Sequence, residues 1–413
     1  MLGKAGASQN EEKRLFKEYR YNINFFPMLL CLINAAVGRG IVSLGNAFRC
    51  GVFTSLILCT VIGIVSYYSM YFFIKAGAAT HSGTFEDIWA ATFGPRTIWI
   101  CAFLSISRKF VTLKSYFSYI ISTIISLIKQ YSNTDNVPWW ALTNEFYLLI
   151  FIVLFIIPFA LTKSLKTVSV ISAISCFCIL YLLAVVIYYF VDSVKTNGFD
   201  PNKQIVYFSF DKKVSTCISS LMTAYLVYPL AYPGLNHLRH ATVKRLNLLA
   251  ITLIVILWAL YYTFGILCYL SLFDTNTGGA ILSYFKKRPL KTVSEVVQML
   301  MIATTIPIVI SPMRYIMINI YVKVTTIQYA IWVVVGIIIG LIGIVLIGAQ
   351  GDFSTYLGFA SDVLAPVVLW GLPAILYLKA CGRQNMFHFI GAIFTICLGI
   401  AAIVFIVYMK FFA

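Results

Sequence analysis

Two short stretches inside apolar segments carry residue types suited to binding a small polar solute. The first is 34–40, NAAVGRG, and the second is 225–234, YLVYPLAYPG. Each glycine weakens a helix by about 1 kcal/mol relative to alanine, and proline removes a backbone hydrogen-bond donor. Both stretches therefore predict interrupted helices, whose free N–H groups attract a carboxylate and whose free carbonyl groups attract a cation.

The glycine pair has a second interpretation. Gly38 and Gly40 also suit a close contact between two helices, because small residues let helix backbones approach each other in a membrane. The matching interruption in the other stretch favours a binding site. Arg39 lies between the glycines, and a cation at mid-membrane depth is functional by default. It is a candidate to bind a substrate carboxylate or to replace a coupling cation, although it could also extend into a water-filled vestibule.

A third polar feature is a stripe along segment 97–128. Its residues recur at alternating steps of three and four, which places them on one helix face. They are Ser105, Arg108, Thr112, Ser115, Tyr119, Ser122 and Ser126. Because such a face must contact protein or water rather than lipid, it either lines a permeation path or forms a buried seam. With Lys109 and Lys114 nearby, a cationic interior would favour a carboxylate-bearing substrate. Ser115 is the residue of the stripe that we predict to bind the substrate.

Three further residues are candidates for the same region. Asp362 is the acid that we place well inside the membrane, where it could pair with Arg39 or Arg108 or carry a proton. Tyr228 and Tyr232 are candidate walls of a substrate pocket. With 16% aromatic residues in the chain, ordinary packing is an alternative role for both tyrosines.

The elements that must position these residues are membrane-spanning helices. Of 413 residues 61% are hydrophobic and only 11% are charged, with a mean hydropathy of +0.90, whereas soluble domains are about 25% charged. Stretches of about twenty apolar residues, the length that crosses a bilayer, recur throughout. We predict eleven of them: 26–48, 51–77, 97–128, 139–161, 166–192, 214–238, 247–273, 291–319, 325–348, 353–378 and 386–409.

The charge distribution predicts how the chain is organised in the membrane. A polar tail, 1–25, precedes one membrane domain, 26–409, with the amino terminus inside and the carboxy terminus outside. The net charge of +17 is dispersed among short loops. It therefore indicates topology signals and contact with anionic lipid rather than a nucleic-acid partner.

The two interrupted segments, the first and the sixth, occupy corresponding positions in two five-helix halves. These halves are about 26–192 and 214–378, and an extra helix at about 386–409 follows them. Interrupted helices at corresponding positions are typical of transporters built from inverted repeats, which bind their substrate at the repeat interface. An all-α, 5+5 inverted-repeat fold is therefore expected.

Four motifs, taken in order, resemble those of the amino acid/auxin permease family. Asn34, Gly38, Gly40 and Ile41 fit its Asn-x-x-x-Gly-Ser-Gly-Ile helix. The others are the turn 158–166, PFALTKSLK, the run 304–314, TTIPIVISPMR, and the glycine-start, proline-end segment 358–373. The chain is most similar in character to the family's sodium-coupled neutral and vacuolar amino acid transporters.

This resemblance implies the amino acid–polyamine–organocation fold, which is the leucine-transporter type. It also implies an amino acid held between the first and sixth helices, with the backbone amides of Gly38 and Gly40 meeting its carboxylate. Asn34 and Thr305 fall where family members place cation ligands. Arg39 stands where the family has serine, and 227–230, VYPL, stands where it has Cys-His-Pro-Glu, so sodium and proton both remain possible coupling ions.

The function expected is secondary active transport of amino acids by alternating access, with no cofactor besides a coupling ion. A non-transporting amino acid sensor and an uncoupled exchanger remain alternatives. An enzyme is not expected, because the segments lack a nucleophile–base pair or paired acids at depth. The expected location is the plasma membrane or a vacuolar or lysosomal type of membrane.

Overall fold

The computed structural model describes residues 23–132, 165–197, 205–227, 238–273, 288–316 and 351–412, with a few isolated positions between 138 and 150. These residues are mainly helical. Before the large gap at 133–164 lie four helices: α1 Phe25–Ala47, α2 Val52–Thr80, α3 Phe85–Phe93 and α4 Ile98–Tyr131. After it lie seven: α5 Leu165–Asn197, α6 Lys212–Ala224, α7 Val243–Leu272, α8 Arg288–Ile316, α9 Gly351–Pro366, α10 Leu372–Cys381 and α11 Met386–Phe411.

Within the described residues, seven stretches are long and apolar enough to cross a membrane. They match the second, third, fifth, seventh, eighth, tenth and eleventh predicted segments, at Val52–Thr80, Pro95–Tyr131, Ile171–Lys195, Val243–Leu272, Pro289–Met313, Gly358–Cys381 and Met386–Phe411. The first segment is α1. The fourth predicted segment, 139–161, and the ninth, 325–348, lie almost wholly outside the described residues.

The interruption predicted in the first segment is wrong. Helix α1 continues without a break from Phe25 to Ala47, through Gly38 and Gly40. Glycine lowers helix stability by about 1 kcal/mol but keeps its N–H donor, so it permits a break without forcing one. Packing against the neighbouring helices keeps α1 helical. The two glycines serve the close helix contacts that their small size permits.

The interruption predicted in the sixth segment is confirmed at its start. Helix α6 ends at Ala224, and the non-helical residues Tyr225, Leu226 and Val227 follow, each at most 2% exposed. Non-helical backbone at membrane depth is tolerated where protein buries it, and this one is buried. The prolines that motivated the prediction lie in 228–237, outside the described residues.

The described ends of the sixth segment touch the first segment and its amino-terminal flank at two places. Near the amino terminus, Ile23 pairs with Leu238, and the Arg239 amide donates to the Ile23 carbonyl at 2.8 Å. Further along, α1 packs against α6. Two contacts at separate depths indicate that the two segments form one packing unit.

Candidate functional site

Asn34 is the centre of a buried oxygen cluster where α1, α5 and α8 meet. Its side-chain oxygen accepts hydrogen bonds from the hydroxyls of Ser175, at 2.6 Å, and Thr305, at 2.9 Å. Its amide nitrogen donates to the Ser172 hydroxyl oxygen at 3.2 Å and to the Thr304 carbonyl at 3.5 Å. Asn34, Thr305 and both serines are 0% exposed. The cluster joins the two predicted ion-binding residues and presents only uncharged oxygen and nitrogen atoms.

Sequence reasoning missed the two serines. Ser172 and Ser175 are spaced i, i+3 in the apolar helix α5, so they lie on one helix face. That spacing was the available signal. It could not by itself indicate which neighbouring helix the pair would face, because long-range packing decides that.

Gly38 of α1 packs against Thr305 of α8 at this cluster. A Cβ atom placed on Gly38 would lie 2.8 Å from Cγ2 and 3.0 Å from Cβ of Thr305. Real Cβ atoms essentially never approach so closely, so the missing side chain allows Thr305 to reach Asn34. Gly38 therefore shapes the oxygen cluster through its size.

Gly40 of α1 packs against the end of α6 rather than against α8. A Cβ atom placed on it would lie 2.7 Å from Cβ of Ala224 and 3.1 Å from the Tyr261 hydroxyl oxygen. The Tyr261 hydroxyl donates to the Ala224 carbonyl at 3.0 Å and so satisfies one of the carbonyl groups that a helix end leaves free. Tyr225, the next residue, donates to the Cys59 carbonyl at 3.4 Å and stacks edge-on against Tyr261.

Arg108 of α4 connects the same helix end to the tenth segment. Its guanidinium donates to the Thr223 hydroxyl at 3.2 Å, to the Ser361 carbonyl at 3.2 Å and to the Ser361 hydroxyl. Arg108 is 2% exposed. The predicted partner Asp362 follows Ser361 directly and is half-buried. The Arg108–Asp362 ion pair stays a prediction.

The predicted polar stripe changes character along α4. Ser105, Arg108 and Thr112 are buried, Ser115 and Tyr119 are half-buried, and Ser122 is exposed. Tyr119 donates to the side-chain oxygen of Gln298 on α8 at 2.5 Å. The stripe is therefore a buried seam over its first half. Ser115, a predicted substrate ligand, lies two turns beyond Arg108.

Comparisons with known proteins show the family to which the chain belongs. The sequence model of the family described as transmembrane amino acid transporter protein matches residues 22–412. The chain belongs to the transmembrane amino acid transporter family. It is 21% identical over 403 residues to sodium-coupled neutral amino acid symporter 2 of Danio rerio, with 91% of this chain and 79% of that one covered. It is also 21% identical over 431 residues to human sodium-coupled neutral amino acid transporter 4, with 86% and 77% covered.

A solved structure supports the fold of the transporter. MhsT in complex with L-phenylalanine superposes with a TM-score of 0.63 at 14% identity, covering 96% of this chain and 100% of that one. The inverted-repeat fold predicted from the sequence is therefore confirmed, as are the multi-pass membrane location and the family resemblance. The transporter is a secondary carrier of amino acids rather than an enzyme.

One interior cation of the transporter faces an acid that the sequence did not indicate. Lys109 is 3% exposed and lies near Glu86, which is 5% exposed and begins the short helix α3 between two spans. Burial raises the pKa of the Glu86 carboxyl, while Lys109 and a hydrogen bond with Ser105 oppose that rise. The predicted cationic interior therefore includes a buried carboxyl group beside Lys109, contributed by the short helix α3.

Three predicted substrate ligands of the transporter cannot be placed. Tyr228 and Tyr232 lie outside the described residues. The backbone of Arg39 continues α1, whereas its side chain lies outside the described part of the structure. Their roles stay predictions.

Proposed function

We propose that the transporter moves neutral amino acids together with sodium by alternating access. The observation that carries this proposal is the oxygen cluster at Asn34, where α1, α5 and α8 converge. The names of the two relatives, both sodium-coupled carriers of neutral amino acids, supply the substrate class and the ion.

The chemistry of the cluster fits a monovalent hard cation. Asn34 and Thr305 offer an amide oxygen and a hydroxyl oxygen, and Thr304 adds a carbonyl oxygen. Hard cations prefer oxygen ligands, and divalent ions bind through carboxylates that this cluster lacks among its described members. A bound sodium would supply positive charge at mid-membrane, so its entry and release change the electrostatics of α1.

The substrate is proposed to bind between α1 and the end of α6. Gly40 and Ala224 mark that interface, and Gly38 lies two residues away, nearer the ion cluster. Because α1 is continuous, the amides of Gly38 and Gly40 lie within a helix, and carboxylate binding to them requires α1 to open locally. Arg39, Tyr228 and Tyr232 are the proposed remaining ligands.

The proposed alternating-access movement is one in which the first and sixth segments move together relative to the other helices. The first and sixth segments are joined at Ile23–Arg239 and at Gly40–Ala224, so they can move as one unit. Thr305 on α8 holds that unit at Asn34, and Arg108 on α4 holds it at Thr223. A sodium ion at Asn34 would favour one position of this unit relative to α8 over the other. Coupling requires such a difference in ion affinity between the two positions.

The test is uptake of labelled neutral amino acids by purified transporter in proteoliposomes under an imposed sodium gradient, a proton gradient, or neither. Accumulation should require the sodium gradient. Thr305→Val, which keeps the shape of the side chain but removes its hydroxyl, should lose the sodium response, whereas Thr305→Ser should keep it.

A matched control is Ser294→Ala on α8, because Ser294 is 0% exposed and its hydroxyl donates to the Leu290 carbonyl at 2.7 Å, away from the cluster. Accumulation driven by protons alone, or equal uptake without any gradient, would overturn sodium coupling. Binding without uptake would instead favour a sensor.

A further inference from the structure

Ser172 and Ser175 bring a third helix to the oxygen cluster. Both serines are 0% exposed, and both bond to Asn34: the Ser175 hydroxyl donates at 2.6 Å and the Ser172 hydroxyl oxygen accepts at 3.2 Å. A hydroxyl buried in an apolar helix needs a polar partner. Here the shared partner is Asn34 on another helix, so both serines tie α5 to the same side chain of α1.

We propose that Ser172 and Ser175 are ligands of the sodium ion, so that the ion site is built from α1, α5 and α8. This inference rests on the proposed sodium coupling. With the serines the site offers five uncharged oxygen atoms, from the side chains of Asn34, Ser172, Ser175 and Thr305 and from the Thr304 carbonyl. Five neutral oxygens suit an ion of single charge, since more highly charged ions need carboxylates.

The hydrogen bonds of the cluster show how it can accept an ion without leaving a buried polar group unsatisfied. Both lone pairs of the Asn34 side-chain oxygen are occupied, by the Ser175 and Thr305 protons. The Thr305 hydroxyl has a second acceptor, the Met301 carbonyl at 3.0 Å. If its proton turns to Met301, one lone pair of Asn34 and one of Thr305 become available to the ion.

The serines can bind the ion while keeping their present bonds. Ser172 accepts from the Asn34 amide and shares a further hydrogen bond with the Cys31 thiol, and its oxygen is proposed to contact the ion beside these bonds. Ser175 donates its proton to Asn34, so the lone pairs of its oxygen can face the ion. Among the described bonds of the cluster, the rearrangement that we propose is rotation of the Thr305 hydroxyl. The ion therefore draws α5 toward α1 and α8, and the occupancy of the site sets the position of α5.

The experiment is a sodium titration of thermal stability, using the purified full chain in detergent at constant ionic strength with choline as the replacing cation. An ion that binds the folded state raises the melting temperature by mass action. We expect the sodium concentration for the half-maximal rise to increase about tenfold or more in Ser172→Ala and Ser175→Ala, comparable to the loss of a supporting metal contact. Ser294→Ala should titrate like the unmodified protein.

The outcomes separate this inference from the proposed function. If both serine variants titrate like the unmodified protein while Thr305→Val loses the response, sodium coupling stands and the role of α5 is wrong. If the unmodified protein shows no sodium-specific rise, both are wrong. Ser175→Cys keeps a similar side-chain volume but replaces oxygen with a poor sodium ligand, so it carries the same expectation if Ser175→Ala does not fold.

Discussion

Gly40 packs so closely against Ala224 that no side chain fits between them, at the point where the continuous first helix meets the broken sixth segment. A side chain on Gly40 would lie 2.7 Å from Cβ and 3.0 Å from Cα of Ala224. The contact sits at the last residue of α6, immediately before the unwound residues. The irregular backbone of the sixth segment therefore begins next to a close contact with the first segment.

Gly40→Ala should separate α1 from α6. Overpacking of a close contact typically costs about 1–3 kcal/mol, and both neighbouring atoms of Ala224 are too close to yield. We expect a lower melting temperature and loss of most uptake. The paired change Ala224→Gly should restore part of both.

Gly358→Ala is the matched control, because nothing lies within 4 Å of a Cβ atom at that exposed helical position. Wild-type stability in Gly40→Ala would contradict the close contact.

Tyr261→Phe tests the hydroxyl that completes the end of α6. Removing it leaves the buried Ala224 carbonyl without that donor, at a cost of about 1–3 kcal/mol. The melting temperature and the uptake rate should both fall. Tyr262→Phe on the same helix is the control, since no described residue forms a hydrogen bond with the Tyr262 hydroxyl. Equal effects of the two substitutions would argue against a special role for Tyr261.

Arg108→Lys separates charge from geometry at the bridge between α6 and α9. Lysine keeps the charge but lacks the planar fork that reaches Thr223 and Ser361 at the same time. We expect uptake to fall about tenfold or more, since hydrogen bonds to charged groups contribute about 1.5–3 kcal/mol. Ser361→Ala should be milder, because the Ser361 carbonyl still accepts at 3.2 Å. Full activity in Arg108→Lys would mean that charge alone suffices.

Arg39→Ser tests the proposed carboxylate ligand. Loss of a charge-assisted contact should weaken amino acid binding by about tenfold to a hundredfold, measured as the half-saturating amino acid concentration for uptake. Arg96→Ser, at an exposed cation between α3 and α4, is the control. An unchanged half-saturating concentration in Arg39→Ser would show that Arg39 does not contact the substrate.

Glu86 should make stability depend on pH. Its folded-state pKa is raised by burial above the ordinary value of about 4.3. Its contribution is therefore fully present below that value and is lost as the pH rises through the folded-state pKa. Melting temperatures measured across this range should fall less in Glu86→Gln than in the unmodified protein. Asp87→Asn, at the exposed neighbouring acid, is the control and should show the same pH dependence as the unmodified protein. The same pH dependence in Glu86→Gln would contradict the prediction.

The spans could be predicted because their cause is local. Apolar length alone places a helix such as α7, expected at 247–273 and found at Val243–Leu272. The break in the sixth segment was also predicted from local sequence, by its prolines, and the described residues confirm its start after Ala224. Gly38 and Gly40 gave the wrong local prediction because glycine only permits a break, and packing against Thr305 and Ala224 decides the outcome.

The candidate site could be predicted only in part. Asn34 and Thr305 were indicated by a resemblance, and they do meet, at 2.9 Å. Ser172 and Ser175 belong to no recognisable motif. A pair of serines in an apolar helix can face any neighbouring helix, and only the packing decides which one. Glu86 was missed for the same reason: its burial comes from the docking of a short loop helix on α4, which no periodicity in the sequence encodes.

The measurement that tests the account most directly is flux of labelled sodium into proteoliposomes, recorded in parallel with uptake of a labelled neutral amino acid. Added amino acid should accelerate sodium entry, the two fluxes should keep a fixed ratio as the amino acid concentration is varied, and Thr305→Val should abolish the coupled sodium flux. Accumulation of the amino acid with no accompanying sodium flux would contradict the assignment of the Asn34 cluster as the coupling site.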